Sequence, residues 1–247
     1  MLETTYYLLS AFAVIFVFFI LFKAEKSTTS HHKLSGLVLS FSAAWLLYCF
    51  ALIESGTLLD YSLPPKFPLL IILPFSIACV FLYRLVKKSA VIETVKMEYL
   101  VLFQGFRIAV EIMLYYTFVI GVIPETATFD GYNFDIIMGI SAPLLLLLMK
   151  RGKVSNLFLK IWNIFGIVMI LFVAIIIGSS MYFPQLWNYK SIVSEDFLSF
   201  PYFLIAACIA PWAIAVHVIA LAKLSKKNPD SYLNRDLNII GLDYSPM

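Results

Sequence analysis

Apolar residues along this chain fall into seven runs separated by short polar connections. Most runs approach or exceed the roughly 17 to 25 residues that a helix needs to cross the hydrocarbon core of a bilayer. We therefore predict an all-α, polytopic membrane protein with seven transmembrane helices. Their expected bounds are about Tyr6–Phe22, Leu34–Ile53, Phe67–Val86, Tyr99–Ile120, Phe134–Met149, Leu157–Phe183 and Phe200–Ala222. The fifth run is short for a full crossing.

Basic residues alternate between the connections and predict the orientation. Of the 18 lysines and arginines, 15 follow the first, third, fifth and seventh runs, whereas the other connections carry Lys66, Lys190 and several carboxylates. Lys and Arg are enriched in cytoplasmic connections, so the pattern predicts an outer N-terminus and an inner C-terminus. Residues 1–225 then form the transmembrane domain and residues 226–247 a polar cytoplasmic tail.

Composition agrees with lipid as the solvent. The chain is 62% hydrophobic and 13% charged, with a mean hydropathy of +0.91, whereas a soluble domain averages about 25% charged residues. We expect a bacterial cytoplasmic membrane location with the bilayer as partner. The net charge of +3 is concentrated at one side, so it gives no reason to infer nucleic-acid binding.

The predicted spans hold too few of the residues that usually bind metals and cofactors. Cys49, Cys79 and Cys208 lie inside spans without a CxxC pair, and the spans hold one histidine, His217. Zinc hydrolases and bis-histidine haem proteins need more ligands than this, and the last span has no deep lysine for retinal. We expect no metal and no cofactor.

The fourth run carries a polar stripe within a membrane span. Gln104, Arg107, Glu111 and Tyr115 recur at intervals of three and four residues, which puts them on one helix face. Arg107 and Glu111 are about 6 Å apart along the axis, near the predicted midplane, where ionised groups are rare and costly. We expect both to face the bundle interior and to contact each other. They form either a structural ion pair or a site for a charged solute or a proton.

The connection from Gly121 to Asp135 contains no basic residue and leads into the fifth run. Asn133 is predicted to be the N-cap of that helix, with Asp135 complementing the helix dipole in the first turn. Alternatively, the two residues form the outer lip of a pocket whose floor is Arg107 and Glu111. Gly139 and Pro143 would let the fifth helix bend around such a pocket.

These two segments also carry a resemblance. The chain reads Phe106-Arg107, Val110-Glu111, Gly121, Pro124, then Thr128 to Ile136 as TFDGYNFDI, followed by Gly139 and Ala142. This resembles a pattern FR..VE, G..P, TF.G.NFDI..G..A of uncharacterised bacterial multi-pass membrane proteins. The resemblance covers roughly 40 residues and implies a place for a site, without implying an activity.

Two further polar residues within spans are secondary candidates. Asn163 in the sixth run either hydrogen-bonds a neighbouring helix or belongs to a site. His217 in the seventh run is either a packing residue or a ligand or proton acceptor. The third and seventh runs also both begin with Phe-Pro and contain a second proline, Pro74 and Pro211. This is a weak sign of an internal repeat, because the other runs do not align.

The residues favour binding of a small charged or zwitterionic solute in an outward-facing intramembrane pocket, for transport. The alternatives are a sensor that signals through a partner protein, or a structural ion-pair bundle with no pocket. An enzyme acting on lipid is the least favoured class. Homo-oligomer formation is left open by the sequence.

Overall fold

All regular structure in the described residues is helical. The computed structural model describes residues 1–28, 34–187 and 192–226. In these ranges the chain forms nine α-helices: α1 Leu2–Lys26, α2 Leu34–Glu54, α3 Leu73–Lys88, α4 Val91–Thr94, α5 Met97–Phe103, α6 Arg107–Val119, α7 Ile136–Lys150, α8 Asn156–Tyr182 and α9 Ala210–Leu224. The all-α prediction is confirmed for this part of the chain. The tail from residue 227 onward lies outside the described residues.

Five helical stretches are long and apolar enough to cross a membrane. They are Leu2–Lys26, Leu34–Glu54, Pro68–Lys88, Asn156–Tyr182 and Ile205–Leu224. They correspond to the first, second, third, sixth and seventh predicted spans. The last begins five residues later than expected, because residues 200–203 form turns. Seven crossings and their orientation stay predictions.

The fourth predicted span is not one continuous helix. A 3₁₀ turn, Gln104–Phe106, separates α5 from α6 and ends directly before Arg107. Gly105 lies in this turn, and glycine is a poor helix former, so the interruption has a local cause. Because a 3₁₀ turn is tighter than an α-helical turn, the change alters the register of the polar stripe.

The ends of α1, α3 and α9 meet at one end of the bundle, here called the basic end. Thr94 in α4 donates a hydrogen bond from its hydroxyl to Ala24 O at the end of α1, at 3.1 Å. Lys223 Nζ donates to Glu93 O at 3.0 Å, and Lys226 forms an ion pair with the Glu93 carboxylate. The hydrogen bond from Lys226 lowers the pKa of this exposed carboxyl. The short helix α4 thus connects α1 to the end of α9.

Helices α3 and α9 begin in the same way. Each follows a five-residue π-helical turn, Pro68–Ile72 or Ile205–Ile209, and each has proline as its second residue, Pro74 or Pro211. Proline has no N–H, so the carbonyl four residues earlier loses its usual helical donor. The two shared prolines of the sequence thus have equivalent places in the structure.

Helix α2 donates to both of these carbonyls. Tyr48 OH donates to Leu70 O, four residues before Pro74, at 2.9 Å. Trp45 Nε1 donates to Ala207 O, four residues before Pro211, also at 2.9 Å. One turn of α2 therefore satisfies a carbonyl in each π-helical turn, which fixes α2 against both helices.

We expect Tyr48→Phe and Trp45→Phe each to lower the free energy of unfolding by about 0.5–2 kcal/mol, since each leaves a carbonyl without its donor. Thermal unfolding of the purified protein in detergent measures the loss. Tyr116→Phe is the matched control, because Tyr116 is an exposed tyrosine whose hydroxyl makes no hydrogen bond with the described residues. Equal effects of Tyr48→Phe and Tyr116→Phe would contradict the role of the tyrosine.

Candidate functional site: a buried polar network

Arg107 lies inside the bundle and is 1% exposed. Its Nε donates to Asp135 Oδ2 at 2.7 Å, and its NH2 group pairs with the second oxygen of the same carboxylate. This corrects the expectation that Arg107 contacts Glu111. A carboxylate from a separate segment meets the guanidinium through both oxygens, which is the strongest pairing geometry for arginine.

His217 and Asn163 continue the network from the other side of Arg107. The NH1 group of Arg107 lies 3.1 Å from His217 Nε2, and His217 Nδ1 lies 2.8 Å from Asn163 Oδ1. A guanidinium has only donors, so Nε2 accepts and the hydrogen is on Nδ1, which donates to Asn163. The amide of Asn163 in turn donates to Leu159 O at 2.8 Å. Of the two secondary candidates, His217 therefore contacts Arg107 directly, and Asn163 joins the network through His217.

Asn133 links Asp135 to Glu111. Its Oδ1 accepts from the N–H of Asp135 at 2.9 Å, while its Nδ2 donates to Glu111 Oε2 at 2.8 Å and to Ala127 O at 3.1 Å. The N-cap of α7 is Asp135, not Asn133 as predicted, and the Asp135 side chain makes no capping hydrogen bond. The ion pair with Arg107 takes the carboxylate instead.

The connection before α7 folds into the bundle. Residues such as Ile123, Ala127, Thr128 and Asn133 are fully or almost fully buried. Asp135 contacts Arg107, which is near the middle of the α5–α6 segment, so α7 starts beside that residue. The 15 residues of α7 span about 22 Å, less than the roughly 30 Å hydrocarbon core. Asp135 thus lies beside Arg107 and Asn133 beside Glu111, one turn further along α6. Both are buried, so they do not form an outer lip. Irregular backbone at such depth is tolerated where protein buries it.

A cavity of about 80 Å³ adjoins the network. Arg107, Glu111 and Asp135 provide its polar lining, and the rest of the wall is apolar, with residues of α6, α8, α9 and the π-helical turn before α9. Drug-sized sites are roughly 300–1,000 Å³, and one water needs about 10–15 Å³ of this kind of volume. The cavity therefore holds a few waters or a solute of a few non-hydrogen atoms.

Gln104 and Tyr115 do not line this cavity. Gln104 is buried, and its Nε2 donates to Ala213 O at 3.3 Å, whereas its Oε1 has no partner among the described residues. Tyr115 is half-buried and stacks on Phe129, with the ring centroids 5.3 Å apart. Of the six primary candidates, four form the network and two lie beside it.

Comparison with known proteins gives a family. Residues 64–225 match a family model described as "Domain of unknown function (DUF8737)". The chain belongs to this family. No curated protein and no solved structure matches the chain. The matched range contains every residue of the polar network, whereas α1 and α2 precede it.

Gly166 in α8 is a residue of the network that the sequence reasoning missed. A Cβ at this position would lie 2.3 Å from His217 Nε2, and the Gly166 carbonyl accepts from Arg107 NH2 at 3.4 Å. Gly139 in α7 similarly allows close approach, because its Cβ would lie 2.8 Å from the backbone nitrogen of Ile108. Glycines within apolar helices favour such contacts, so their presence was a usable signal.

A double-mutant cycle tests the pairing of Arg107. Removing one partner of a buried ion pair costs about 3–5 kcal/mol, so we expect Arg107→Met and Asp135→Asn each to destabilise strongly. Their coupling energy should be on the order of 2 kcal/mol and should exceed that between Arg107→Met and Glu111→Gln. Denaturant unfolding in detergent measures both cycles. A larger coupling to Glu111 would show that Asp135 is not the principal partner.

The glycine contact has a matched control in the same helix. We expect Gly166→Ala to lower the free energy of unfolding by about 1–3 kcal/mol, because the added methyl group displaces His217. Gly178→Ala should be neutral or stabilising, since a Cβ there meets nothing within 4 Å and alanine favours the helix. Melting temperatures of the two variants measure the difference, and equal values would contradict the contact.

Proposed function

We propose that this protein is an integral membrane protein that binds a small charged or zwitterionic solute, or a proton, in an intramembrane cavity for transport. Glu111 is the residue that receives the positive charge. The five long apolar helices support a membrane location, and we extend this to seven crossings with the N-terminus outside. We further propose that the membrane is the bacterial cytoplasmic membrane.

The observation that carries the proposal is that Glu111 has no cation paired with it among the described residues, whereas Arg107 and Asp135 pair with each other. The Asp135 carboxylate and the Arg107 guanidinium neutralise each other. Glu111 is 1% exposed and lines the cavity, and its hydrogen-bond donor is the neutral amide of Asn133. No lysine or arginine of the described residues lies within ion-pair distance of it. A buried carboxylate without a cation is costly, so it favours binding of a proton or a cationic group.

The surrounding backbone supports transport over a purely structural role. The 3₁₀ turn before Arg107 and the start of α7 lie beside the same cavity, so two helices are interrupted or begin at this depth. Discontinuous helices of this kind form the substrate and ion sites of many secondary transporters near the bilayer midplane. This is an analogy of architecture, and it supports a role for the cavity in transport without naming a substrate.

Arg107 already donates to several groups of the protein, and this favours a structural role for the part of the network around it. Arg107 donates toward Asp135, His217 and Gly166, so its donors are largely taken before any solute arrives. We therefore assign Arg107, Asp135, His217 and Asn163 to holding the helices together. Glu111 is assigned to binding, and Asn133 to positioning its carboxylate.

Flux measurements in proteoliposomes test the proposal. The probes are protons, read by an entrapped pH-sensitive dye under an imposed membrane potential, and radiolabelled methylammonium and glycine. We expect wild-type protein to conduct at least one probe well above empty liposomes, and Glu111→Gln to reduce that flux at least tenfold. The variant should keep its folding, because glutamine can still accept the hydrogen bond from Asn133.

Glu98→Gln is the control, because Glu98 is an exposed carboxylate of α5 outside the cavity. It should retain wild-type flux. The proposal fails if the wild-type protein passes none of the three probes, or if Glu111→Gln conducts as the wild type does. Stabilisation by a probe without any flux would instead favour the sensor that signals through a partner protein.

A further inference from the structure

A second, larger cavity lies on the outside of the bundle, away from the polar network. It is a groove of about 530 Å³ between α2 and α3, and α9 forms its floor. Its lining is almost wholly apolar and includes Phe41, Ala78, Leu82 and Ala215. Its one serine, Ser42, already donates its hydroxyl hydrogen to Val38 O. The groove therefore suits a hydrocarbon chain and not a polar solute.

The groove has the length of one leaflet. At one end it is lined by Trp45, Pro74 and Pro211, close to the two hydrogen bonds that α2 makes to the π-helical turns. It then follows α3 as far as Leu85, near the basic end. A helix rises about 16 Å from Pro74 to Leu85, which is about half of the roughly 30 Å hydrocarbon core.

Positive charge lies where the groove reaches the basic end. Lys87 and Lys88 occupy the last turn of α3, and Arg84 comes directly before Leu85; all three are exposed. None of them forms an ion pair within the described residues. Their positions match those of a phosphate headgroup whose acyl chain lies along α3, and basic residues at such sites attract anionic lipids.

We propose that the groove binds one acyl chain of an anionic phospholipid from the leaflet at the basic end, with its headgroup held by Arg84, Lys87 and Lys88. The apolar groove supplies the binding of the chain, and the three cations select the headgroup. This site is separate from the cavity at Glu111, and it does not depend on what that cavity carries.

Quenching of tryptophan fluorescence tests the proposal directly, because Trp45 and Trp212 both line the groove. The probes are brominated phosphatidylglycerol and brominated phosphatidylcholine, each titrated into the purified full chain in detergent. We expect half-maximal quenching by phosphatidylglycerol at a concentration at least tenfold lower than by phosphatidylcholine. Equal half-maximal concentrations for the two lipids would overturn the proposed selection of the headgroup.

Two variants separate the headgroup from the chain. Arg84→Gln, Lys87→Gln and Lys88→Gln together should remove the preference for phosphatidylglycerol. Ala78→Phe, which fills the groove, should reduce quenching by both lipids. The control for the cations is Lys150→Gln, Arg151→Gln and Lys153→Gln, an equally exposed basic group after α7. The control for the filling is Ala11→Phe on the exposed face of α1.

Each result decides the proposal. Because the triple variant changes only surface residues, it remains informative if Ala78→Phe lowers the folding yield. A triple variant that keeps the full preference would overturn the role of the cations. Absence of saturable quenching, with the protein eluting as a dimer, would show that a second copy of the chain covers the groove instead.

Discussion

The fold depends on one guanidinium held away from both water and lipid. An unpaired arginine at the centre of a bilayer costs on the order of 3 kcal/mol on insertion scales, so Arg107 requires partners from several elements at once. It obtains them from the start of α7, from α8 and from α9. The inward fold of the connection before α7 and the glycine at position 166 both follow from this requirement, because each brings a partner within reach.

Much of the helical architecture could be predicted from local pattern, whereas the partners within the site could not. Apolar runs gave the bounds of the five long helices to within a few residues, and the cost of buried charge pointed to Arg107 and Glu111. Pairing these two with each other was wrong because helical spacing describes only neighbours on one helix. Asp135 reaches Arg107 because a non-helical segment folds inward, and the spacing of polar and apolar residues does not predict such a fold. The late start and short length of α7 have the same cause.

Pro74 and Pro211 are a second case in which the sequence pattern could not predict the contacts. Aligned by their Phe-Pro dipeptides, Pro74 and Pro211 have different spacings in the two runs, so the likeness was weak. Aligned by the π-helical turns, they occupy the same position, and each freed carbonyl has an aromatic donor on α2. The two sites are equivalent because each proline lacks an N–H and a side chain of α2 donates to the carbonyl that is left free. This can be seen only once the carbonyl and its donor are located in the structure.

The hydrogen bonds around Arg107 are stronger than those that hold α2, and this has a consequence for motion. Helices α6 to α9 share a continuous chain of charge-assisted and neutral hydrogen bonds around Arg107, so separating any one of them from the others breaks part of that chain. Helix α2 is outside that chain, and within the described residues its hydrogen bonds to the π-helical turns are the two from Trp45 and Tyr48. Local opening of the fold is therefore expected to begin at α2, because separating it from the π-helical turns breaks only these two neutral hydrogen bonds.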